Sequence, residues 1–432
     1  MLGSAALPRY LGLLLMLGAV LGGTALAQHE EAFPFTGPDG VFPSGGLVAD
    51  SAGNLYGATA LGGNFNGCSH NEGCGVIFEI SPPRQPGGQW TETTLYKFAG
   101  IPDGENPNGD LVIDGAGNLY GTTTEGGNGC STRNGCGTVF ELSPPSQPGG
   151  SWTESVLFSF GGLPTGNVPL SGLTFDQKGN LYGTTFAGGF YGSGVLFELS
   201  PPPVEGGSWT ESVLHNFGFP FTDGASPAAR VIFDSAGNLY GTTTFGGRSD
   251  VGTVYEFSPP AQVGTAWTEQ VLHSFGNFDT DGEQPLAGLT LTPGGLLLGT
   301  AATGGAFGGG VVFVLFPPGI SGGIWTYTIG HNFGGGIDGI RPASNLTFMY
   351  GSQPVLYGTT ESGAPFGAGT VYELTPPAGV GQPLTESVLY RFTNGPDGGV
   401  PQAGVIVQGD ALYGTTASGG YQAMGTVFRF SP

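Results

Sequence analysis

The chain has 432 residues, 38% of them apolar and 30 of them phenylalanine, so there is ample material for a core. Its 86 glycines and 34 prolines reach a level that without periodicity reads as disorder. Against 32 acids stand 10 basic side chains, a formal net charge of −22, and that balance excludes nucleic acid and anionic membrane surfaces as partners.

The first 27 residues carry one basic residue, Arg9, an apolar run from Leu11 to Leu21, and Ala25-Leu26-Ala27 before Gln28. This pattern reads as a cleaved signal peptide. The run is too short for a comfortable membrane span and no later stretch is apolar enough for one. We therefore expect a soluble chain, secreted or periplasmic, with no membrane span. All 32 acids lie beyond Ala27, so loss of Arg9 takes the mature charge to −23.

Next comes HEEAFPFTGPDG from His29, which is like LYRFTNGPDGG near Phe392. Seven copies of one string follow it: GNLYGATALGG from Gly53, GNLYGTTTEGG from Gly117, GNLYGTTFAGG from Gly179, GNLYGTTTFGG from Gly237, GLLLGTAATGG from Gly295, PVLYGTTESGA from Pro354 and DALYGTTASGG from Asp410. Their markers Tyr56, Tyr120, Tyr182, Tyr240, Leu298, Tyr357 and Tyr413 are 56 to 64 residues apart. Such a period means tandem supersecondary units that bury their faces against one another.

Within the second copy, four runs carry strand signals: LVID from Leu111, NLYGTT from Asn118, TVFEL from Thr138 and TESVLFSF from Thr153. DGAG makes a tight turn between the first two, SPPSQPGG a longer loop between the last two, and no stretch has a helical period. Four antiparallel strands per unit make the blade of a β-propeller. The last copy stops at GTVFRFSP, after its third strand. A strand from about Glu30 to Phe35 would complete that blade and close the ring. We expect an all-β, seven-bladed propeller in one domain, residues 28–432, and a monomer.

The unit GLxxDxxGNLYGTTxxGG...GTVFELSPP...WTExVLxxF resembles the GloVer tandem repeat, named for Gloeobacter and Verrucomicrobia and found in exported bacterial proteins of unassigned activity. More distantly, LVIDGAGNLYG is similar to the core of NHL-type propellers. The resemblance implies fold and export, and it brings no catalytic residues.

Residues repeated in every blade read first as scaffold. The Thr122–Thr123 pair should hydrogen-bond within the sheet. Trp90, Trp152, Trp209, Trp267 and Trp325, with Leu384 in the sixth place, should pack. His215, His273 and His331 share a position with Tyr96, Phe158 and Tyr390, which marks an aromatic packing site. Lying in different blades, the three histidines cannot converge on one metal. Glu79, Glu141, Glu198, Glu256 and Glu373 are each followed 13 residues later by Glu92, Glu154, Glu211, Glu269 and Glu386, while blade five has Val314 and Tyr327 instead. Joint loss suggests neighbours across a hairpin, on strands facing water. We read them as scaffold positions, with calcium as the alternative, and expect no cofactor. No G-x-S-x-G or zinc-protease motif occurs, and we assign no catalytic residue.

Cys68, Cys74, Cys130 and Cys136 lie in parallel C-x5-C inserts, which in an exported chain read as two local disulfides. Function is better sought where copies diverge. The loops between second and third strands carry Tyr191, Arg248, Asp250, Phe307, Phe366 and Tyr421, and share a face with the blade-to-blade loops, which carry Asp-Gly pairs from Asp39 to Asp397. Aromatics and carboxylates on one rim suit a glycan, peptide or protein ligand. The expectation is a binding or scaffold module acting through that face, for carbohydrate or peptide. The alternatives are an extracellular carbohydrate-active hydrolase or lyase, and a purely structural envelope or matrix protein.

Overall fold

The computed structural model describes residues 28–431 apart from 70, 84, 86–87, 131, 148, 205, 263–264, 279, 320–322, 335–336, 351–353 and 377–382, with backbone alone at 28–32. The expected signal peptide lies outside the described residues. Seven antiparallel blades of four strands each form the ring, and in blade two Gly104–Pro107 adds a fifth strand to the sheet. Blade one runs Val48–Ala49, Leu55–Thr59, Val76–Ser81 and Thr91–Lys97 from the channel outward, and blades two to six repeat that order. Among the described residues no helix is long and apolar enough to cross a membrane.

The seventh blade takes its outermost strand from the other end of the chain. Gln28–Pro34 pairs antiparallel with Thr426–Ser431, in a register that sets Glu30 opposite Arg429. The pairing carries the same one-residue bulge that separates third and fourth strands elsewhere, as between Val156 and Phe158. The N-terminal segment is therefore a true fourth strand. It removes the bare edge that the last blade would otherwise present.

The recurrent letters have local causes. The second strand, LYGTT, is buried along its whole length, so it reads as a continuous run rather than an alternating one. Its glycine leaves room for the aromatic ring of the third strand: a Cβ at Gly121 would lie 2.6 Å from Phe140 Cζ. Of the two threonines, Thr122 donates through its hydroxyl to the Ser171 carbonyl in the next blade, while Thr123 bonds Thr138 within its own sheet at 2.8 Å.

Blade junctions are lined on one face by phenylalanine. A Phe after each fourth strand meets the ring of the next blade's third strand, as in Phe98–Phe140 at 5.1 Å, Phe160–Phe197 at 5.2 Å and Phe275–Phe313 at 5.3 Å. Phe35 makes the same contact with Phe78 across the ring closure, at 5.0 Å. Such pairs add roughly 0.5–1.5 kcal/mol each beyond their burial. On the other face a tryptophan packs on the preceding blade's tyrosine, as in Tyr56–Trp152, Tyr182–Trp267 and Tyr240–Trp325. The tryptophans are junction staples.

Candidate functional site at the channel mouth

Two sets of loops share one face and are stitched together there. Short ladders join Gly224–Ala225 to Phe245–Gly246, Gly282–Glu283 to Thr303–Gly304, and Gly339–Ile340 to Ser362–Gly363. The Cys68–Cys74 and Cys130–Cys136 disulfides close the long inserts of blades one and two on this face.

Where each blade-to-blade loop turns down into the channel, one non-glycine residue has a left-handed backbone. These are Phe42, Asn106, Val168, Ser226, Gln284, Arg341 and Val400, with φ between 54° and 63°. Every one precedes a proline, and two are β-branched, which makes the conformation doubly unfavourable. Each costs on the order of 1–3 kcal/mol and persists only if its surroundings impose it. They do: Asn106 N–H donates to the Cys74 carbonyl at 2.9 Å, Arg341 N–H to Gly309 at 2.9 Å and Val400 N–H to Ala368 at 2.8 Å, and the Phe42 carbonyl accepts from Ala60 N–H at 2.9 Å. With the backbone fixed this way, side-chain identity is released. Aromatic, amide, aliphatic, hydroxyl and guanidinium groups stand at one equivalent place around the mouth.

Beneath this crown the channel narrows at a second ring: Gly46, Asp110, Gly172, Arg230, Gly288, Asn345 and Gly404. Glycines flank each larger side chain, and a Cβ at Gly46 would lie 2.9 Å from Asp110 Oδ1. Asp110 Oδ1 accepts from Gly46 N–H at 2.6 Å, and its Oδ2 accepts from Asn345 Nδ2 at 3.2 Å, an amide of the sixth blade meeting a carboxylate of the second. Among the described residues no carboxylate pairs with Arg230. The waist separates a polar chamber of about 110 Å³ on the loop face from a larger one of about 510 Å³ lined mainly by aliphatic side chains. A recess of about 480 Å³ opens beside the mouth between Phe42, Asn106 and Val400, and Asn106 Oδ1 is buried without a described partner.

The residues singled out from sequence lie on this face but do not meet. Tyr191, Phe307, Phe366 and Tyr421 are exposed, one to a blade. Tyr191 meets Phe190 edge-on and Phe219 at a tilt, each at 5.5 Å, whereas the other three have no ring partner among the described residues. Arg248 borders an outer groove with Thr222 and His273. Asp250 accepts from Gly246 N–H at 2.9 Å, so its carboxylate holds its own loop. The crown and waist escaped sequence reading, although seven x-Pro dipeptides with a variable first residue mark every blade entry.

The repeated glutamates correct an expectation. Ile80 is the partner of Glu92 and Thr93 that of Glu79, so the two glutamates of a hairpin point to opposite faces of the sheet. Glu92, Glu154, Glu211, Glu269 and Glu386 lie in the blade junctions rather than on a water-facing surface. Burial pushes their carboxyl groups up, to about 7 at Glu92, Glu154, Glu211 and Glu386 and to about 8 at Glu269, where Asp223 adds to it. The Asp-Gly aspartates are anchors: Asp223 accepts from Gly218 and Gly224 N–H and from His215 Nε2 at 3.1 Å. Tyr96 does the same for Asp103 at 2.9 Å. Histidine and tyrosine thus share a hydrogen-bonding role as well as a packing one.

Two junctions bring one imidazole and two carboxylates within 4.8 Å: His215, Asp223 and Glu269, and His331, Asp338 and Glu386. These donors suit a divalent cation. The Tyr96–Asp103 pair shows that hydrogen bonding alone also fills this place.

The fold and its axial site define a seven-bladed β-propeller with an asymmetric channel mouth on an otherwise repetitive ring. The chain belongs to the Gloeobacter/Verrucomicrobia repeat family, whose model matches residues 18–147 and 129–353. No curated protein matches it. Among solved structures, a putative 6-phosphogluconolactonase from Bacteroides uniformis is similar with a TM-score of 0.50 at 15% identity, over 80% of this chain and 84% of that one. A sialidase from Trypanosoma rangeli aligns with a TM-score of 0.40 at 12% identity; 81% of this chain spans 57% of that one. The likeness to the first is one of fold.

Proposed function

We propose that the protein is a binding module, exported from the cell, that takes a carbohydrate or peptide segment on the loop face over the channel mouth. The crown carries this reading: seven strained positions with one backbone conformation present seven variable side chains, above a waist that offers one carboxylate, one guanidinium and one amide. A mature charge of −23 disfavours polyanions, and the exposed aromatics Phe42, Tyr191 and Phe219 offer flat apolar surfaces for sugar or peptide stacking. Two disulfides suit an oxidising compartment.

The hydrolase reading needs two non-equivalent carboxyl groups at the channel. At the waist the described residues supply one, Asp110, and the glutamates with raised pKa stand at the junctions instead. The test is a glycan and peptide array screened with the intact protein, with product analysis, followed by Phe42→Ala and Arg230→Gln. Loss of binding in these variants, with unchanged melting, supports the reading. Released product would favour the enzyme.

A further inference from the structure

The junction between blades five and six, on the opposite side of the molecule from the mouth, departs from the five that hold a tryptophan. In blade four, Asp234 bonds Asn238 and the Tyr240 hydroxyl, Glu256 is bonded by Ser258, and Trp325 of the next blade packs on Tyr240 at 5.8 Å. The residues 58 positions later in blade five are Thr292, Leu296, Leu298, Val314 and Phe316, and Leu384 of blade six stands in the tryptophan's place. Gly330 also replaces the leucine found at Leu95, Leu157, Leu214, Leu272 and Leu389. Every polar group of the junction has been exchanged for an apolar or uncharged one, and the two largest rings are gone together.

The space they vacate is open. A cavity of about 680 Å³ lies between blades five and six, bounded by Leu298, Val314, Phe316, Ile329 and Leu384, with no charged side chain among its described walls. That volume falls within the roughly 300–1,000 Å³ of small-molecule sites. At five other junctions an indole ring occupies the corresponding position: Trp90, Trp152, Trp209, Trp267 and Trp325. Random loss of one large side chain would leave its neighbours behind; here the tyrosine, the glutamate and the tryptophan have been exchanged together, for Leu298, Val314 and Leu384. Phe316 and the exposed Tyr350 border the opening.

We propose that this cavity is a second binding site, independent of the mouth, for a small uncharged aromatic molecule of about indole size. The ligand's ring takes the place that tryptophan holds at five other junctions. Its lack of charge follows from walls that offer no counter-charge and would strand one out of water.

The test uses the neutral dye N-phenyl-1-naphthylamine with indole as competitor, on the intact protein. One saturable dye site, displaced by indole, is expected. Leu298→Tyr with Leu384→Trp restores the pair present elsewhere, and Gly330→Leu restores the usual leucine; each filling should weaken dye binding by about tenfold or more. A Cβ at Gly330 would lie 3.0 Å from the flexible Leu384 Cδ1 end and 3.4 Å from Val312 O and Val314 Cγ2, so Gly330→Leu is the milder filling. Melting curves certify folding. Absence of a saturable site in the unaltered protein, a stoichiometry other than one, or undiminished binding in either folded filling overturns the proposal.

Discussion

At the blade junctions and at the channel mouth the same seven repeats give opposite results. The junctions repeat their chemistry: phenylalanine meets an aromatic ring on one face, and tryptophan meets tyrosine on the other. The mouth repeats only its backbone, and sets Phe42, Asn106, Val168, Ser226, Gln284, Arg341 and Val400 at one equivalent place. A junction residue has a neighbouring blade to fit, which narrows the choice to one size and shape. A crown residue is held by its own N–H and C=O and has no fixed neighbouring shape to match; Arg341, whose Nε donates to Glu361 at 2.9 Å, is the one crown side chain with an ion pair among the described residues. Stability should therefore reside in the first region and recognition in the second.

The largest effect expected under this division comes from opening the ring. Deleting residues 28–36 removes the outer strand of blade seven and Phe35, exposing the Thr426–Ser431 edge and one face of the Phe78 ring. The truncated protein should aggregate or lose most of its stability. A melting curve like that of the intact chain would break the closure account.

A single junction ring comes next. Phe98 is fully buried against Phe140, and Phe98→Ala should cost about 3–5 kcal/mol in chemical denaturation. The same truncation at the crown, Phe42→Ala, should stay within roughly 0.5–1 kcal/mol. Equal costs would erase the contrast between the regions.

The disulfides are intermediate. Each closes a loop with a sequence separation of 6, so Cys130→Ser with Cys136→Ser should cost about 2 kcal/mol. Mass spectrometry of the non-reduced protein should find no free thiol.

A pH-dependent stability effect is spread over the junction glutamates. Their folded pKa of about 7 lies above the unfolded value of 4.5, so between these limits the folded state holds protons that the unfolded state has released. Their contribution is intact below pH 4.5, declines as pH rises, and is gone above about 7, or about 8 at Glu269. Melting temperature should fall from pH 5 to pH 8, and Glu211→Gln should flatten its share of that fall. A rise over the same window would mean the junction carboxyls are ionised throughout.

Much of the architecture was legible because packing leaves a period. The string LYGTT recurs since only glycine admits the Phe140-type ring, and the closing strand was visible as a likeness between His29 and Phe392 segments. Its observed span, Gln28–Pro34, differs slightly from the expected Glu30–Phe35. The two disulfides followed from equal spacing. The hairpin pairing of Glu79 with Glu92 failed because an interval of 13 does not reveal the register, which turns the two to opposite faces. The crown was hidden for a deeper reason. Nothing in Phe, Val or Gln favours a left-handed backbone; the fold imposes it, and sequence propensity argues against it. The waist was hidden too, since Asp110, Arg230 and Asn345 fall in three different blades and meet only when the ring closes.

Whether recognition sits at the mouth and stability at the junctions can be read from two numbers for each crown and waist variant. Phe42→Ala, Asn106→Ala, Gln284→Ala, Val400→Ala and Arg230→Gln would each be assayed for affinity toward the ligand returned by the array and for melting temperature. A contiguous subset should lose about tenfold or more in affinity while every variant stays within roughly 1 kcal/mol of the unaltered protein in stability. Unchanged affinity in all five, or affinity that falls only in step with melting temperature, would contradict that division.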